Sequence, residues 1–228
     1  MFERIKKAFL RDAKGPSGAP ASQLSAHGPL SEWAHSRGMT FSNAALSSAV
    51  SMQGKVGGRS WKMELGRPTR DYIGGEELRA RAELGVNDEV AAMIINRPLK
   101  ESLERRAYSM ITDTLQTTAS PNLPEEMRWL AMYDEIGWEA VADAFWQRYA
   151  VLSDRREHAL AWVDSNLVNL LLHWPQPGPS ASTPFLVVLL RGKCYLRMQY
   201  QPADTSTLEH AATIFTSACE SALSGFKK

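Results

Sequence analysis

The alternation of apolar and polar positions is most legible in residues 183–226. Phe185, Leu186, Val187, Val188, Leu189 and Leu190 form an unbroken apolar run. It is too short for a typical helix and rich in Val and Leu, so it predicts a strand covered on both faces. Arg191, Gly192 and Lys193 supply the turn. The return segment alternates, with Cys194, Leu196, Met198 and Tyr200 on one face and Tyr195, Arg197 and Gln199 on the other. That period predicts a half-buried strand nearer the sheet edge. Past Pro202, Ser206 and Glu209 have the spacing of a capping box, whose hydroxyl and carboxylate satisfy free amide donors at a helix start. In the helix that follows, Leu208, Ala211, Ala212, Phe215, Cys219, Ala222, Leu223 and Phe226 recur three and four apart. Such a stripe can lie across the hairpin.

Upstream, residues 52–56 and 59–65 flank Gly57-Gly58, the spacing of a two-residue hairpin turn. Trp61, Met63 and Leu65 alternate with Lys62 and Glu64, and Leu78, Ala80, Ala82 and Leu84 alternate with Arg79, Arg81 and Glu83, so both stretches predict half-buried strands. Residues 90–95 are a short apolar strand. Pro98 sits in the first turn of a helix that continues to about residue 115. A second helix starts at Pro124 and ends near Gly137, and residues 145–152 predict another strand. Ser153 or Asp154 then caps a helix in which Asp164 and Ser165 form a fresh cap, so a break is expected there. The sum is an α+β domain with an antiparallel or mixed sheet of about seven strands, in two clusters separated by packed helices. It covers residues 52–226, with 52–115 and 145–226 as two loosely similar halves.

The stretch before it reads differently. Residues 1–14 are a short basic amphipathic segment in which Phe2, Ile5 and Phe9 lie on one side and Arg4, Lys6, Lys7 and Arg11 surround them. Phe2, Ile5, Lys6 and Phe9 are the candidates for weak, reversible contact with an anionic membrane. Residues 15–51, rich in Gly, Ala, Ser and Pro, predict a flexible linker with Trp33, Met39 and Phe41 as anchors. Trp33 is a candidate contact for a protein partner, although packing onto its own domain is the simpler reading.

Charge narrows the function classes. The formal net charge is +1, with six basic against three acidic residues in positions 1–50, net +3, which leaves −2 for the remainder. A domain without a basic excess is not expected to bind nucleic acid. Two cysteines, one on a strand face and one on a helix stripe, read as small core residues in a reducing compartment. With no signal-peptide apolar region and no apolar run near the ~20 residues that span a bilayer, the expectation is a cytoplasmic protein, peripheral at the inner membrane if residues 1–14 engage it.

Chemistry-bearing motifs are sparse. Gly54, Gly57 and Gly58 lack the frame of a phosphate loop and precede a strand instead of a helix. No two of the five histidines are four apart, so no metal is expected; no nucleophile elbow is present, and no cofactor is expected. The most suggestive cluster is Arg67, Arg70, Tyr72, Arg79 and Arg81, which can hold a carboxylate or phosphate through fork-shaped donors. With Asp71, Glu76 and Glu77 among them, the same residues also suit an outer polar face paired across strands, which is the simpler reading. Seven tryptophans are many for this length. Trp129, Trp138 and Trp146 fall in one stretch and are candidates for an aromatic partner-binding surface, with a buried core as the plainer alternative.

The stretches around Trp61–Leu65 and Glu77–Leu84, Leu123–Leu130 and Leu189–Tyr200 are similar to those of an uncharacterised conserved proteobacterial protein family of comparable length. The resemblance covers most of residues 52–226 and implies no activity. The order strand, helix, hairpin, helix after residue 145 is also similar to the end of the secretion-chaperone-like fold, which the preceding strands do not match. Missing catalytic motifs beside a basic arm and a long linker point to a non-enzymatic adaptor or accessory protein that binds a protein partner. The alternative is a binder of a small anionic ligand, or an unrecognised enzyme, built on the Arg/Tyr cluster.

Overall fold

A computed structural model describes residues 28–43, 50–114 and 125–226. The membrane candidates Phe2, Ile5, Lys6 and Phe9 lie outside the described residues. The helices are α1 Gly28–Ser36, α2 Arg97–Thr114, α3 Glu125–Met132, α4 Asp143–Arg148, α5 Arg156–Trp162, α6 Ser165–Leu172 and α7 Thr205–Gly225. The strands are β1 Thr40–Asn43, β2 Val50–Val56, β3 Arg59–Gly66, β4 Glu77–Glu83, β5 Ala91–Asn96, β6 Asp134–Glu135, β7 Tyr149–Ser153, β8 Phe185–Leu190 and β9 Lys193–Gln199.

Two tight turns start the sheet's construction. Gly57 and Gly58 take φ of +54° and +76° and close the β2–β3 hairpin, a backbone shape that glycine adopts without strain. Arg191 and Gly192, at +49° and +69°, close β8–β9 in the same way. Gly54 is required for another reason: a Cβ there would lie 2.8 Å from the Trp61 indole, which packs over the opposing strand.

The strands join into one antiparallel sheet in the order β1-β2-β3-β4-β9-β8-β5-β7-β6. This corrects the expectation of about seven strands in two clusters. The two groups of strands are joined where β9 pairs with β4 on one side and β8 on the other. Strand β9 is therefore central, not near an edge. Its alternation arises because one sheet face is open beside it, not because one edge is free.

Three further expectations change. Residues 28–43 of the expected linker form α1 and β1, with Leu30, Trp33 and Ala34 buried and Thr40 paired with Gln53. The strand expected over 145–152 begins only at Tyr149, because residues 143–148 coil into α4 and place Phe145 wholly inside. The cap of α7 is Asp204, whose Oδ1 accepts from Thr207 N at 2.7 Å, and Ser206 donates to that same oxygen at 2.6 Å. A carboxylate already in place leaves no need for the Ser206–Glu209 box. The break expected at Asp164 is present: its Oδ1 accepts from Leu167 N at 2.8 Å and starts α6.

Alternation along the strands creates two cores. On the first face, Met52, Met63, Leu78, Ile94, Val151, Val187, Leu196 and Met198 pack with Trp162 of α5, Leu167 of α6 and Phe215 of α7. Trp162 Nε1 donates to Ala218 O at 2.9 Å, so the indole is both buried and satisfied. On the second face, Met93, Ile95, Ala150, Leu152, Leu186 and Val188 pack with Leu99 and Leu103 of α2 and Met127 of α3. That second cover stops at β8. The polar half of the second face, formed by β2, β3, β4 and β9, has no helix packed over it among the described residues.

Candidate functional site: an arginine-lined groove on the open half of the sheet

Register decides which side chains meet on the open half. One rank crosses the sheet as Gln53, Lys62, Arg81, Tyr195, Val188, Met93 and Leu152; the next runs Ser51, Glu64, Arg79, Arg197, Leu186, Ile95 and Ala150. Each rank changes from polar to apolar between β9 and β8. Helix α3 stands at that step and, with the open strands, bounds a groove of about 810 Å³. Its lining includes seven Lys or Arg side chains and four Glu, with Trp129 and Tyr195 as half-buried aromatics.

Two cation pairs lie directly opposite each other across strands: Lys62 with Arg81, and Arg79 with Arg197. Like charges so placed repel. Glutamates offset part of the repulsion. Fully buried Glu77 receives hydrogen bonds from Arg197 and from Thr69 N at 2.5 Å, and Arg197 also donates to Thr69 Oγ1 at 2.6 Å. Lys62 pairs with Glu64 at 2.6 Å, and Arg81 with Glu83. Arg79 is left with least. Its nearest carboxylate oxygen is Glu77 Oε2 at 3.6 Å, and it makes no hydrogen bond among the described residues, although its side chain is only 27% exposed.

The groove wall is anchored by Glu126 in the first turn of α3, where the helix dipole favours a carboxylate. Its Oε1 accepts from Arg70 Nε at 2.7 Å and from the Tyr72 hydroxyl at 3.1 Å, and lies 3.7 Å from Arg197 Nε. Burial lowers the Arg70 pKa, but its bond and charge contact with Glu126 outweigh that and raise it overall. Burial first, then the Glu126 charge, holds the Tyr72 phenol well above its usual value, so it stays a proton donor. Glu126 Oε2 is buried and has no hydrogen-bond partner among the described residues. An unpaired buried oxygen of this kind costs about 1–3 kcal/mol.

The sequence-derived candidates thus divide. Arg70, Arg79 and Arg81 line the groove; Tyr72 braces Glu126 from the second core; Arg67 is exposed and outside the lining. The intervening Asp71 forms a two-pronged pair with Arg106 of α2 at 3.0 and 2.5 Å, so the β3–β4 loop is strapped to both covering helices. Lys62, Lys193, Tyr195 and Arg197 are groove residues that the sequence does not single out, and the Glu125–Glu126 pair reads from sequence only as acids at a helix start. The available signal was the polar face of β9, where Tyr195 and Arg197 alternate with core residues. Only the pairing of β4 with β9 puts them beside Arg79 and Arg81.

The tryptophan candidates do not form one surface. Trp129 borders the groove on the second face, whereas Trp138 and Trp146 stack edge to face at 5.0 Å against the first core. Trp33 is 9% exposed and belongs to that first core, so it does not project as a free partner-binding side chain.

Other reactive side chains are occupied. The free thiols of Cys194 and Cys219 are buried, and contact with Cys194 together with burial pushes the Cys219 pKa far up. His158 Nδ1 lies 2.8 Å from Asp154 Oδ1, while the neighbouring Ser153 hydroxyl is buried and donates to Ala91 O at 2.8 Å instead of to the imidazole. Among the described residues no group of three or more His, Cys, Asp or Glu side chains is arranged to hold a metal ion, and no helix is long and apolar enough to cross a membrane.

No protein-family model and no curated protein matches the chain. Among solved structures, the crystal structure of the mycobacterial trehalose monomycolate transport factor A, TtfA, is similar over 86% of this chain and 93% of that one, with 9% sequence identity and a TM-score of 0.47. A likeness this distant carries no functional weight.

Proposed function

We propose that this protein is a non-catalytic binding module whose ligand is a small anion with an apolar portion, held in the groove on the open half of the sheet. The observation that carries the reading is the two opposed cation pairs, Lys62–Arg81 and Arg79–Arg197, with Arg79 short of hydrogen-bond acceptors. An anion between them relieves the repulsion and takes up the unused donors of a guanidinium. Trp129 and Tyr195 supply apolar area next to the charge. The volume suits a small molecule. An acidic segment of a protein partner, the occupant an adaptor would take, has less in its favour, because the tryptophans that would extend an aromatic surface are divided between the two faces.

The test is calorimetric titration of the full-length protein with 3-phenylpropanoate and with its neutral amide at fixed ionic strength. The acid is expected to bind and the amide not to. Arg79→Gln is expected to weaken the acid about tenfold or more, the loss of a charge-assisted bond of about 1.5–3 kcal/mol. Equal behaviour of acid and amide, or acid binding indifferent to Arg79→Gln, would remove the basis of the proposal.

A further inference from the structure

Within that reading, and resting on it, we infer that the ligand carries a hydrogen-bond donor beside its charged group, as a 2-hydroxy or 2-amino acid does. The groove offers two unmet demands of opposite kind. Among the described residues Arg79 makes no hydrogen bond and has only the Glu77 carboxylate 3.6 Å away, and the buried Glu126 Oε2 has no donor. Both residues line the groove. Arg197 links them: it is the cross-strand partner of Arg79, and its Nε is 3.7 Å from the other oxygen of Glu126.

Glu126 cannot readily turn to relieve its own deficit. Its Oε1 is already held by Arg70 at 2.7 Å and Tyr72 at 3.1 Å, and these come from a loop tied to α2 through Asp71 and Arg106. The side chain is 2% exposed, so bulk water does not solvate Oε2. A simple anion would answer Arg79 and leave Glu126 unmet, and would in addition bring negative charge towards a carboxylate. A hydroxyl or ammonium group next to the acid supplies the missing donor, and an ammonium also cancels the added negative charge. The acid faces Arg79 while the donor reaches Oε2, and the pair of demands becomes a filter for ligands bearing both groups.

The experiment compares three acids of one skeleton, 3-phenylpropanoate, 3-phenyllactate and phenylalanine, by calorimetry on the full-length protein at one pH. The hydroxy and amino acids are expected to bind about tenfold tighter than the plain acid. Glu126→Gln, which puts an amide donor or a neutral oxygen in place of Oε2, is expected to erase the preference so that the three bind alike. Arg79→Gln is expected to weaken all three together. Equal affinities in the unaltered protein would mean that a buried water already serves Oε2, and the inference would be wrong while anion binding stood. A preference that survives Glu126→Gln would also overturn it. Failure of all three acids to bind overturns the inference and the anion-binding reading with it.

Discussion

The second face of the sheet contains two regions built from the same ranks of residues. Over β5, β7 and β8, each rank ends in Val188, Met93 and Leu152 or in Leu186, Ile95 and Ala150, and α2 and α3 bury them. Over β3, β4 and β9, the same ranks carry Lys62, Arg81 and Tyr195 or Glu64, Arg79 and Arg197, and no helix among the described residues packs over them. The difference shows that the groove is not a packing defect. On β3, β4 and β9 most side chains facing it are charged, while their strand neighbours Met63, Ala80 and Leu196 are buried in the first core. The open half is held by the first core from behind, so its outward side chains need not be apolar.

That comparison is sharpest at Glu77, a carboxylate of the open half that lies completely inside. Replacing Glu77 by Ala strands Arg197 without its main counter-charge. The expected loss is about 3 kcal/mol in urea unfolding, at the low end for a broken buried pair because Arg197 retains Glu126 at 3.7 Å. By contrast Lys62→Ala, on the neighbouring strand of the same surface, is expected to change stability by no more than about 0.5 kcal/mol. Similar losses at both positions would mean that the open charges are structural throughout, and that no part of this face is held in reserve for a ligand.

A smaller effect probes the covered first face. Burial, outweighing the bond from His210 Nε2 to Leu170 O at 2.8 Å, holds the His210 pKa below the ordinary 6.5. The folded state therefore prefers the neutral ring, and the unfolded chain takes up the proton first. Stability contributed here is present above pH 6.5 and is lost as the pH falls from there through the lower folded value. Unfolding midpoints measured between pH 7.5 and 5.5 are expected to decline more steeply in the unaltered protein than in His210→Gln. Parallel declines would place the ring in a wetter setting than its stack against Trp174 indicates.

A small change of opposite sign is expected at the β8–β9 turn. Arg191 is a non-glycine residue at φ +49°, next to Gly192 at +69°. Arg191→Asn gives the Asn-Gly pair this turn shape favours and is expected to raise stability by a few tenths to about 1 kcal/mol. No gain would indicate that the Arg191 side chain at the groove rim repays its backbone cost.

Much of this architecture is written in local pattern. Gly57-Gly58 and Arg191-Gly192 announce hairpins because only left-handed backbone closes two-residue turns of this hand, and the alternation from Trp61 to Leu65 and from Cys194 to Met198 separates core from surface residue by residue. The caps at Asp164 and the length of α7 follow from equally local rules. Two readings failed for local reasons. Ser206 competes with a nearer carboxylate, Asp204, and the stretch from Phe145 to Leu152, apolar except for Gln147 and Arg148, suits a helical turn and a strand equally well, with the ring of Phe145 against Tyr149 at the boundary.

What local pattern could not convey is adjacency. A strand's alternation records whether each face is wet or dry, but the same record results from an edge strand and from a central strand with one open face. Strand β9 was read as the former and is the latter. Arg79 and Arg81 were visible as candidates because they stand two apart on one strand. Arg197 and Glu126, which complete the site, reach them only through a pairing of distant strands and the docking of α3, and those are chosen by the burial of the whole sheet rather than by any neighbouring residue.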